Sequence, residues 1–213
     1  LNDLLTQANG ANFYWSRSPG KFVNKRTGNE QRLASSLSSG PSFTGTVREW
    51  YETLVETIID VANEIHRKTL RGSANFIVAT PRVCAILEML PEFQWVPVQG
   101  NVNTQPVGVA KVGNLGGRFN VYRDTRTEGN NLDAASASRP EYALLGYKGP
   151  EFYDTGLIYC PYIPVMVQRT IGPNDFAPRV GLLTRYGVVD NIFGADLYYH
   201  VIICTGLGDG FTP

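Results

Sequence analysis

The sequence predicts an α+β fold in which two helices come early and mainly antiparallel strands follow. Apolar residues recur at helical spacing in residues 46–70 and again in residues 81–90. From about residue 105 onward, short β-branched and aromatic runs alternate with turns rich in Gly and Asn. The chain has 213 residues, of which 43% are hydrophobic, so it is long enough for one compact core and an extension.

The first helix is expected to begin at a capping box and to end near a glycine. Thr46 precedes Glu49 by three residues, so the hydroxyl and the carboxylate can each bind a free backbone amide. Basic residues fill the last turns, where cations offset the helix dipole, and Gly72 is a natural stop. A short buried strand at residues 75–79 and a second helix at residues 81–90 complete the predicted layered core.

The later strands are expected to be short and separated by turns. They are predicted at residues 107–112, 119–122, 142–147, 157–159 and 197–204, with a polar loop at residues 124–141. Residues 163–169 and 180–189 are predicted to be the two arms of a hairpin around a turn at residues 172–175. Pro161 and Pro164 interrupt the apolar run before this hairpin, which indicates a sheet edge or a bend.

Residues 1–45 are interpreted as an extended arm or loop, because Gly, Ser, Asn and Thr dominate much of this stretch. A basic segment lies within it, with Glu30 as its one acidic residue. Its members are Arg17, Lys21, Lys25, Arg26 and Arg32. Three interpretations remain open for this segment: a solvated loop, a local contact with nucleic acid, and an arm that forms salt bridges with an adjacent subunit.

The composition argues against several classes of function. Lys plus Arg equals Asp plus Glu at 19 each, which is not typical of a surface that wraps nucleic acid. His66 and His200 have no evident catalytic partner in the sequence, and both are interpreted as structural. Cys and His do not occur at zinc-site spacing, and the chain after Gly113 continues as a strand rather than opening a nucleotide-binding helix. No catalytic residue, metal ligand or cofactor is predicted, and the protein is not expected to be an enzyme.

The cysteines and the apolar runs indicate the compartment. Cys84, Cys160 and Cys204 lie far apart in apolar runs and are expected to be buried free thiols, as in a reducing cytoplasm. No apolar run approaches the length that a bilayer requires, so no membrane association is expected.

Aromatic and arginine residues in the last third of the chain indicate contacts between proteins. Tyr and Arg are enriched where proteins meet, and long hairpin arms are hard to bury within one monomer. The candidate subunit-interface residues are Arg169, Arg179, Arg185 and Tyr186. The residues alone therefore favour an interaction protein.

Four motifs follow one another between residues 71 and 187. They are RGSANFIVAT at residues 71–80, YALLGYKG at 142–149, DTGLIYCPYIP at 154–164 and PRVGLLTRYG at 178–187. Together they resemble the major capsid proteins of T-even-type tailed bacteriophages. The helix at residues 46–70, with its Trp-Tyr start, is similar to the same family.

This resemblance implies the Hong Kong 97-type phage capsid fold, with an axial domain and part of the peripheral domain. The axial domain would cover residues 46–162, and residues 163–213 would be strands that return to the peripheral domain, followed by the C-terminal tail. The family's N-terminal arm, extended loop and spine helix have no counterpart here, except that residues 1–5 are interpreted as the last turn of the spine helix. Either upstream sequence is missing or this variant is reduced.

The resemblance also implies a function. The expected role is a structural subunit that self-assembles, as hexameric capsomers, into the icosahedral or prolate head around a phage genome. Its implied partners are copies of itself, the vertex, portal, scaffold and decoration proteins of the head, and packaged double-stranded DNA through weak nonspecific contacts. The implied location is the virion capsid, after assembly in the host cytoplasm.

Other functions remain open on the sequence alone. A pentameric vertex paralogue and a nanocompartment shell protein would have a related fold. A hydrolase or glycan-binding module on a β-rich scaffold is a more distant alternative, which a pocket with converging carboxylates or a perturbed histidine would favour.

Overall fold

Two helices, one 3₁₀ turn and nine strands make up the regular structure of the computed structural model, which describes residues 12–19, 22–29, 44–95, 109–125 and 141–207. The helices are α1 (Val47–Thr69) and α2 (Pro81–Glu88), and the 3₁₀ turn is Ala195–Leu197. The strands are β1 (Asn12–Ser16), β2 (Phe76–Ala79), β3 (Phe93–Trp95), β4 (Val109–Leu115), β5 (Phe119–Asp124), β6 (Glu141–Gly146), β7 (Leu157–Ile171), β8 (Pro178–Asp190) and β9 (Tyr199–Thr205). The predictions for residues 1–5, for most of the polar loop at 124–141 and for the tail beyond residue 207 lie outside the described residues.

Seven of these strands form one mixed sheet in the order β1-β9-β6-β2-β5-β4-β3. The pairs β1–β9 and β2–β5 are parallel, whereas the other pairs in this sheet are antiparallel. Strands β7 and β8 form a separate two-stranded sheet. Helices and antiparallel strands are thus combined as the sequence predicts, and the parallel pairs are an additional finding.

The main core lies between the helices and one face of the seven-stranded sheet. Residues of both helices pack there with Ile77, Val121, Leu145 and Ile202 of the sheet. A smaller cluster on the opposite face includes Leu144 and the residues around the 3₁₀ turn. Because side chains alternate across a strand, neighbouring residues such as Leu144 and Leu145 enter different clusters. The sheet is therefore apolar on both faces.

Helix α1 begins as the sequence predicts. The Thr46 backbone amide donates to Glu49 Oε2 at 2.6 Å, and the Glu49 amide donates to Thr46 Oγ1 at 3.4 Å. The helix ends slightly earlier than expected, because Leu70 adopts a left-handed conformation with φ of 55° and donates its amide to His66 O at 2.8 Å. Gly72 instead provides space for the Tyr147 ring, which lies 2.5 Å from the position that a Cβ would take.

Three strands differ from the prediction. Strand β1 lies inside the stretch expected to be an arm or loop, and strand β3 was not predicted. Strand β7 continues through Pro161 and Pro164, with register shifts between Pro161 and Ile163 and between Ile163 and Met166. The separate short strand predicted at residues 157–159 is therefore wrong, because each shift lets β7 carry an extra residue as a bulge and continue.

Candidate subunit interface

The pair β7–β8, termed the ribbon below, places a long double strand outside the two apolar clusters. It contains Leu157–Ile171 and Pro178–Asp190, and nearly every side chain along it is exposed. Its large exposed apolar side chains are Tyr159, Tyr162, Val165, Met166, Val167, Ile171, Val180, Leu182, Leu183, Tyr186, Val188 and Val189. An isolated two-stranded sheet is marginally stable in water, and an apolar surface of this extent is typical of an interaction site.

The four candidate interface residues all lie on the ribbon, and all four are exposed. Arg179 pairs with Asp175 at 3.0 Å, and the Tyr186 ring lies 5.5 Å from the Tyr159 ring. Arg169 and Arg185 form no ion pair with any residue that the structure describes. Tyr186 faces Pro161 across the ribbon, in the half nearer to the base, and Arg185 is next to it. Their role in subunit contacts stays a prediction.

The base of the ribbon is held to the seven-stranded sheet by a small polar cluster. The Tyr199 hydroxyl lies 2.9 Å from Thr155 Oγ1 and accepts a hydrogen bond from the Leu157 amide at 3.2 Å. Asn191 Nδ2 donates to the carbonyl oxygens of Thr155 at 2.9 Å and Tyr153 at 3.3 Å. These contacts involve residues at the start of β7 and just after β8, so they determine where the ribbon leaves the seven-stranded sheet.

A second group near the base connects the segment that follows α1 to the same region. Asp154, which is buried, accepts a hydrogen bond from the Tyr147 hydroxyl at 3.1 Å and faces Arg71 at 3.6 Å. Burial, followed by the hydrogen bond to Asp154, raises the pKa of Tyr147. The Asp154 carboxylate occupies the space beside Gly149 where a Cβ would lie. The residues of three sequence motifs therefore meet at the base of the ribbon.

The part of the basic segment that the structure describes lies against α1. Lys25 binds Glu56 at 3.0 Å and also binds Asp60, while Arg26 binds Glu64 at 3.1 Å. Burial lowers the pKa of Lys25, but the two carboxylates outweigh this effect and the pKa is raised. These contacts use part of the positive charge within the chain.

Of the remaining members of the basic segment, the structure describes Arg17. Arg17 donates to the Tyr51 hydroxyl at 3.3 Å, and the residue is half-buried. Lys21 and Arg32 lie outside the described residues. Contact of the segment with nucleic acid or with another subunit stays a prediction.

Glu64 is the centre of the largest ion-pair group on α1. It binds Arg67 at 2.7 Å in addition to Arg26, and Lys68 lies 3.8 Å away. The hydrogen bond from Arg67, against the opposing effect of burial, lowers the pKa of Glu64 to about 2. This carboxylate therefore stays ionised over the whole physiological range.

The histidines and cysteines differ in their exposure, and one expectation is corrected. His66 is exposed, whereas His200 is fully buried. Cys84 and Cys204 are buried, and burial raises the pKa of the Cys84 thiol to about 12. Cys160 is exposed, so the expectation that all three thiols are buried is wrong for this residue. The apolar run around Cys160 belongs to the ribbon rather than to the core.

The described residues contain no group of three or more His, Cys, Asp or Glu side chains that could hold a metal ion. Within the same residues, no helix is both long enough and apolar enough to cross a bilayer. A shallow cavity lies between β1, residues 22–25 and α1, lined mainly by Trp15, Phe22 and Trp50 with Lys25 and Glu56 at its edge. Since Lys25 and Glu56 are bound to each other, this cavity does not present converging carboxylates.

The model of the family described as "Major capsid protein Gp23" matches residues 29–206. This match covers both helices and eight of the nine strands described above. The chain belongs to the Gp23 major capsid protein family.

Three relatives illustrate the sequence similarity within the Gp23 family. The major capsid protein of Vibrio phage KVP40 is 36% identical over 149 residues, which are 68% of this chain and 27% of that protein. The major capsid proteins of Enterobacteria phages T6 and T4 are 33% and 32% identical over 148 residues. These alignments cover 27% and 26% of those proteins. The aligned part of this chain therefore spans about a quarter of the length of its curated relatives.

A solved chain from Mycobacterium phage Che8 shows a weaker structural similarity. It superposes with a TM-score of 0.43 and 13% sequence identity, covering 71% of this chain and 48% of the other.

The hydrogen bonds at the base of the ribbon could not be identified from the sequence. Thr155 and Tyr199 are 44 residues apart, and Asn191 and Thr155 are 36 residues apart, yet both pairs are hydrogen-bonded. The clustering of tyrosines in the last third is a signal for them, although it does not identify which tyrosine has a polar partner.

Proposed function

We propose that this protein is a structural subunit of a phage head, a major capsid protein that assembles with copies of itself around the genome. The observation that carries the proposal is the ribbon, whose apolar side chains are exposed along both strands in a member of the Gp23 family. Large exposed apolar surfaces in proteins mark contact sites. A shell of many symmetric copies can use such contacts even where each is weak.

We further propose that the chain adopts the Hong Kong 97-type capsid fold. In this proposal residues 46–162 form the axial domain and residues 163–213 lead into the peripheral domain and the tail. The ribbon's separation from the seven-stranded sheet supports a division near its base. Within residues 163–213, β9 pairs with β6 and β1 of the seven-stranded sheet, so in this proposal only the part of that segment before β9 extends into the peripheral domain.

The proposed partners are other copies in hexameric capsomers, the vertex, portal, scaffold and decoration proteins, and packaged double-stranded DNA. The net charge of zero supports weak rather than extensive DNA contact. The proposed location is the virion capsid, after assembly in the host cytoplasm. A structural role is supported over catalysis by the family to which the chain belongs.

Purified virions provide the test. Mass spectrometry of CsCl-purified heads is expected to detect this chain as one of the most abundant proteins, and a cryo-electron microscopy map is expected to place its fold in hexameric capsomers. The tail fraction from the same lysate is the matched control, and the chain should be absent from it. A map with the fold only at fivefold vertices would instead identify the vertex paralogue, and absence of the chain from purified heads would refute a capsid role.

A further inference from the structure

Two glycines in β8 have no packing explanation among the residues that the structure describes. Gly181 and Gly187 do not have positive φ, and a Cβ added to either would meet nothing within 4 Å. In contrast, a Cβ at Gly146 or Gly156 would clash with the Tyr199 ring at 2.7 Å or 2.4 Å. Glycine weakens a strand interior, and it often marks a bulge, a tight bend or a place where another backbone or a ligand approaches closely. Both positions therefore leave room for another surface to approach β8 closely.

Both glycines lie on one face of the ribbon within a short repeat. Residues 179–183 (RVGLL) and 185–189 (RYGVV) each contain arginine, then glycine and then an aliphatic residue at alternate positions. Alternate residues of a strand point to the same side. We call this the arginine–glycine face; its members in β8 are Arg179, Gly181, Leu183, Arg185, Gly187 and Val189. Leu183 and Val189 are 42% and 55% exposed, so this face is partly apolar.

The electrostatics of this face select its partner. Arg179 is neutralised by Asp175 at 3.0 Å, whereas Arg185 has no ion-pair partner among the residues that the structure describes. Two copies of this face would bring like charges together, which disfavours a contact between identical faces. The complementary surface must carry an available carboxylate beside apolar side chains.

Helix α1 presents such a surface, which we call its outer strip: Glu52, Val55, Ile59 and Asn63. These positions follow helical spacing on one side. Ile59 is 40% exposed, whereas Val55 is partly buried against the main core and presents only part of its side chain outward. The other α1 carboxylates are engaged within the chain: Glu49 by the capping box, Glu56 and Asp60 by Lys25, and Glu64 by Arg26 and Arg67. Glu52 has no ion-pair partner in the described part of the chain.

The two surfaces also agree in dimensions. Arg185 and Val189 are about 13 Å apart along a strand, and Glu52 and Ile59 are about 10 Å apart along a helix. Gly187 lies between Arg185 and Val189, where the absence of a side chain leaves room for Val55 of the opposing helix. The arginine side chain is long enough to accommodate the remaining difference.

We propose that the arginine–glycine face of the ribbon docks on the outer strip of α1 in a second copy of this chain. Arg185 pairs with Glu52 of that copy, and its Val55 and Ile59 pack over Gly187 and Val189. This inference rests on the proposed assembly function, since it identifies where one copy contacts the next.

A charge exchange tests the pairing. Arg185→Glu and Glu52→Arg should each weaken self-association by about ten-fold in dissociation constant, and the double variant should restore it to within about three-fold of wild type. Sedimentation velocity over a concentration series measures this. Both residues are exposed, so circular dichroism and thermal unfolding of each variant should match those of the wild type.

The role of Gly187 in docking is tested by a substitution that should weaken docking and leave the fold intact. Gly187→Val should leave the unfolding temperature of the isolated chain unchanged or raised, and should weaken self-association by about ten-fold or more because the helix cannot approach. Val180→Ile adds one carbon to the opposite face of the same strand and should leave self-association unchanged.

The outcomes separate this inference from the proposed function. A wild-type chain that self-associates but is insensitive to both the charge exchange and Gly187→Val overturns the docking proposal, as does a wild-type chain that stays monomeric. In either case, detection of the chain in purified heads would leave the capsid function standing. Charge-dependent association together with absence from heads would support the contact and refute the capsid function.

Discussion

At the residue scale, close packing explains why glycine occurs at the end of β6. A Cβ at Gly146 would lie 2.3 Å from Phe76 Cζ and 2.7 Å from Tyr199 Cδ1. We predict that Gly146→Ala lowers the free energy of unfolding by about 1–3 kcal/mol, because two packed rings have to move. Urea unfolding measures the change. Gly181→Ala is the matched control, and an equal loss for both variants would contradict the packing argument.

His200 is a single buried residue with a consequence for pH dependence. Its side chain is fully buried, its Nδ1 lies 2.6 Å from Tyr199 O, and its Nε2 lies 3.3 Å from Lys68 Nζ. Its ring also stacks on Phe13 at 5.8 Å. Burial is the main cause of a lowered pKa; the backbone contact and Glu64 oppose it, and Lys68 and Arg26 add to it. The neutral ring is thus the stable form in the folded protein.

The sign of the pH effect follows from this lowered pKa. As the pH falls below the unfolded value of about 6.5, the unfolded chain binds a proton that the folded chain does not, so stability decreases. We predict that the free energy of unfolding falls between pH 7.5 and pH 5.5, and that His200→Gln removes most of this fall although its starting stability is lower. The exposed His66→Gln variant should keep the wild-type dependence. Equal slopes in all three proteins would contradict the prediction.

At the scale of elements, the start of α1 is stabilised by a capping box. Thr46 accepts from the Glu49 amide, and Glu49 in turn binds the Thr46 amide. We predict that Thr46→Ala lowers stability by about 1 kcal/mol, because one helix-end amide loses its partner. Thermal unfolding followed by circular dichroism measures this. Thr46→Ser keeps the hydroxyl and should behave like the wild type; a loss as large as that of alanine would point to the missing methyl group instead.

Elements defined by local patterns could be predicted from the sequence, whereas elements defined by distant partners could not. The capping box and the apolar face of α1 need only neighbouring residues, and both are confirmed. Strand β1 has five residues and depends on a parallel partner almost a full chain length away. Strand β3 has three residues, and its partner β4 follows a long stretch of sequence. Short strands have weak local signals, so only the register identifies them.

The same limit applies to the candidate interface. The arginines and Tyr186 could be selected because residue types enriched at interfaces lie in a predicted hairpin. The exposure of Cys160 could not be predicted, because an apolar run in an isolated ribbon looks like a buried strand in the sequence. The polar cluster at the base joins residues that are distant in the chain, such as Thr155 and Tyr199. The repeat in β8 could not be interpreted as a contact surface from the sequence, because this interpretation requires that both glycines face open space.

At the scale of the whole molecule, the ribbon and the seven-stranded sheet should be separable. None of residues 160–187 belongs to either apolar cluster. Tyr159 and Val188 face each other across the ribbon, so an Asn-Gly turn between them can replace residues 160–187. We predict that this deletion shifts the unfolding temperature by no more than about 3 °C and abolishes self-association.

Calorimetry and sedimentation of the deletion variant measure these two effects. A variant in which Asn-Gly replaces only residues 172–177 is the matched control, because it joins the paired residues Ile171 and Pro178 and keeps the ribbon. It should associate as the wild type does. Loss of the seven-stranded sheet in the larger deletion would show that the ribbon is part of one cooperative unit.

The pairing of β1 with β9 has a consequence during protein synthesis. Trp15 and Thr205 are hydrogen-bonded although they are 190 residues apart. A chain still attached to the ribosome therefore cannot complete this edge of the sheet until β9 has left the exit tunnel. Until then β6 lacks one of its two neighbouring strands, and β1 lacks the strand with which it pairs.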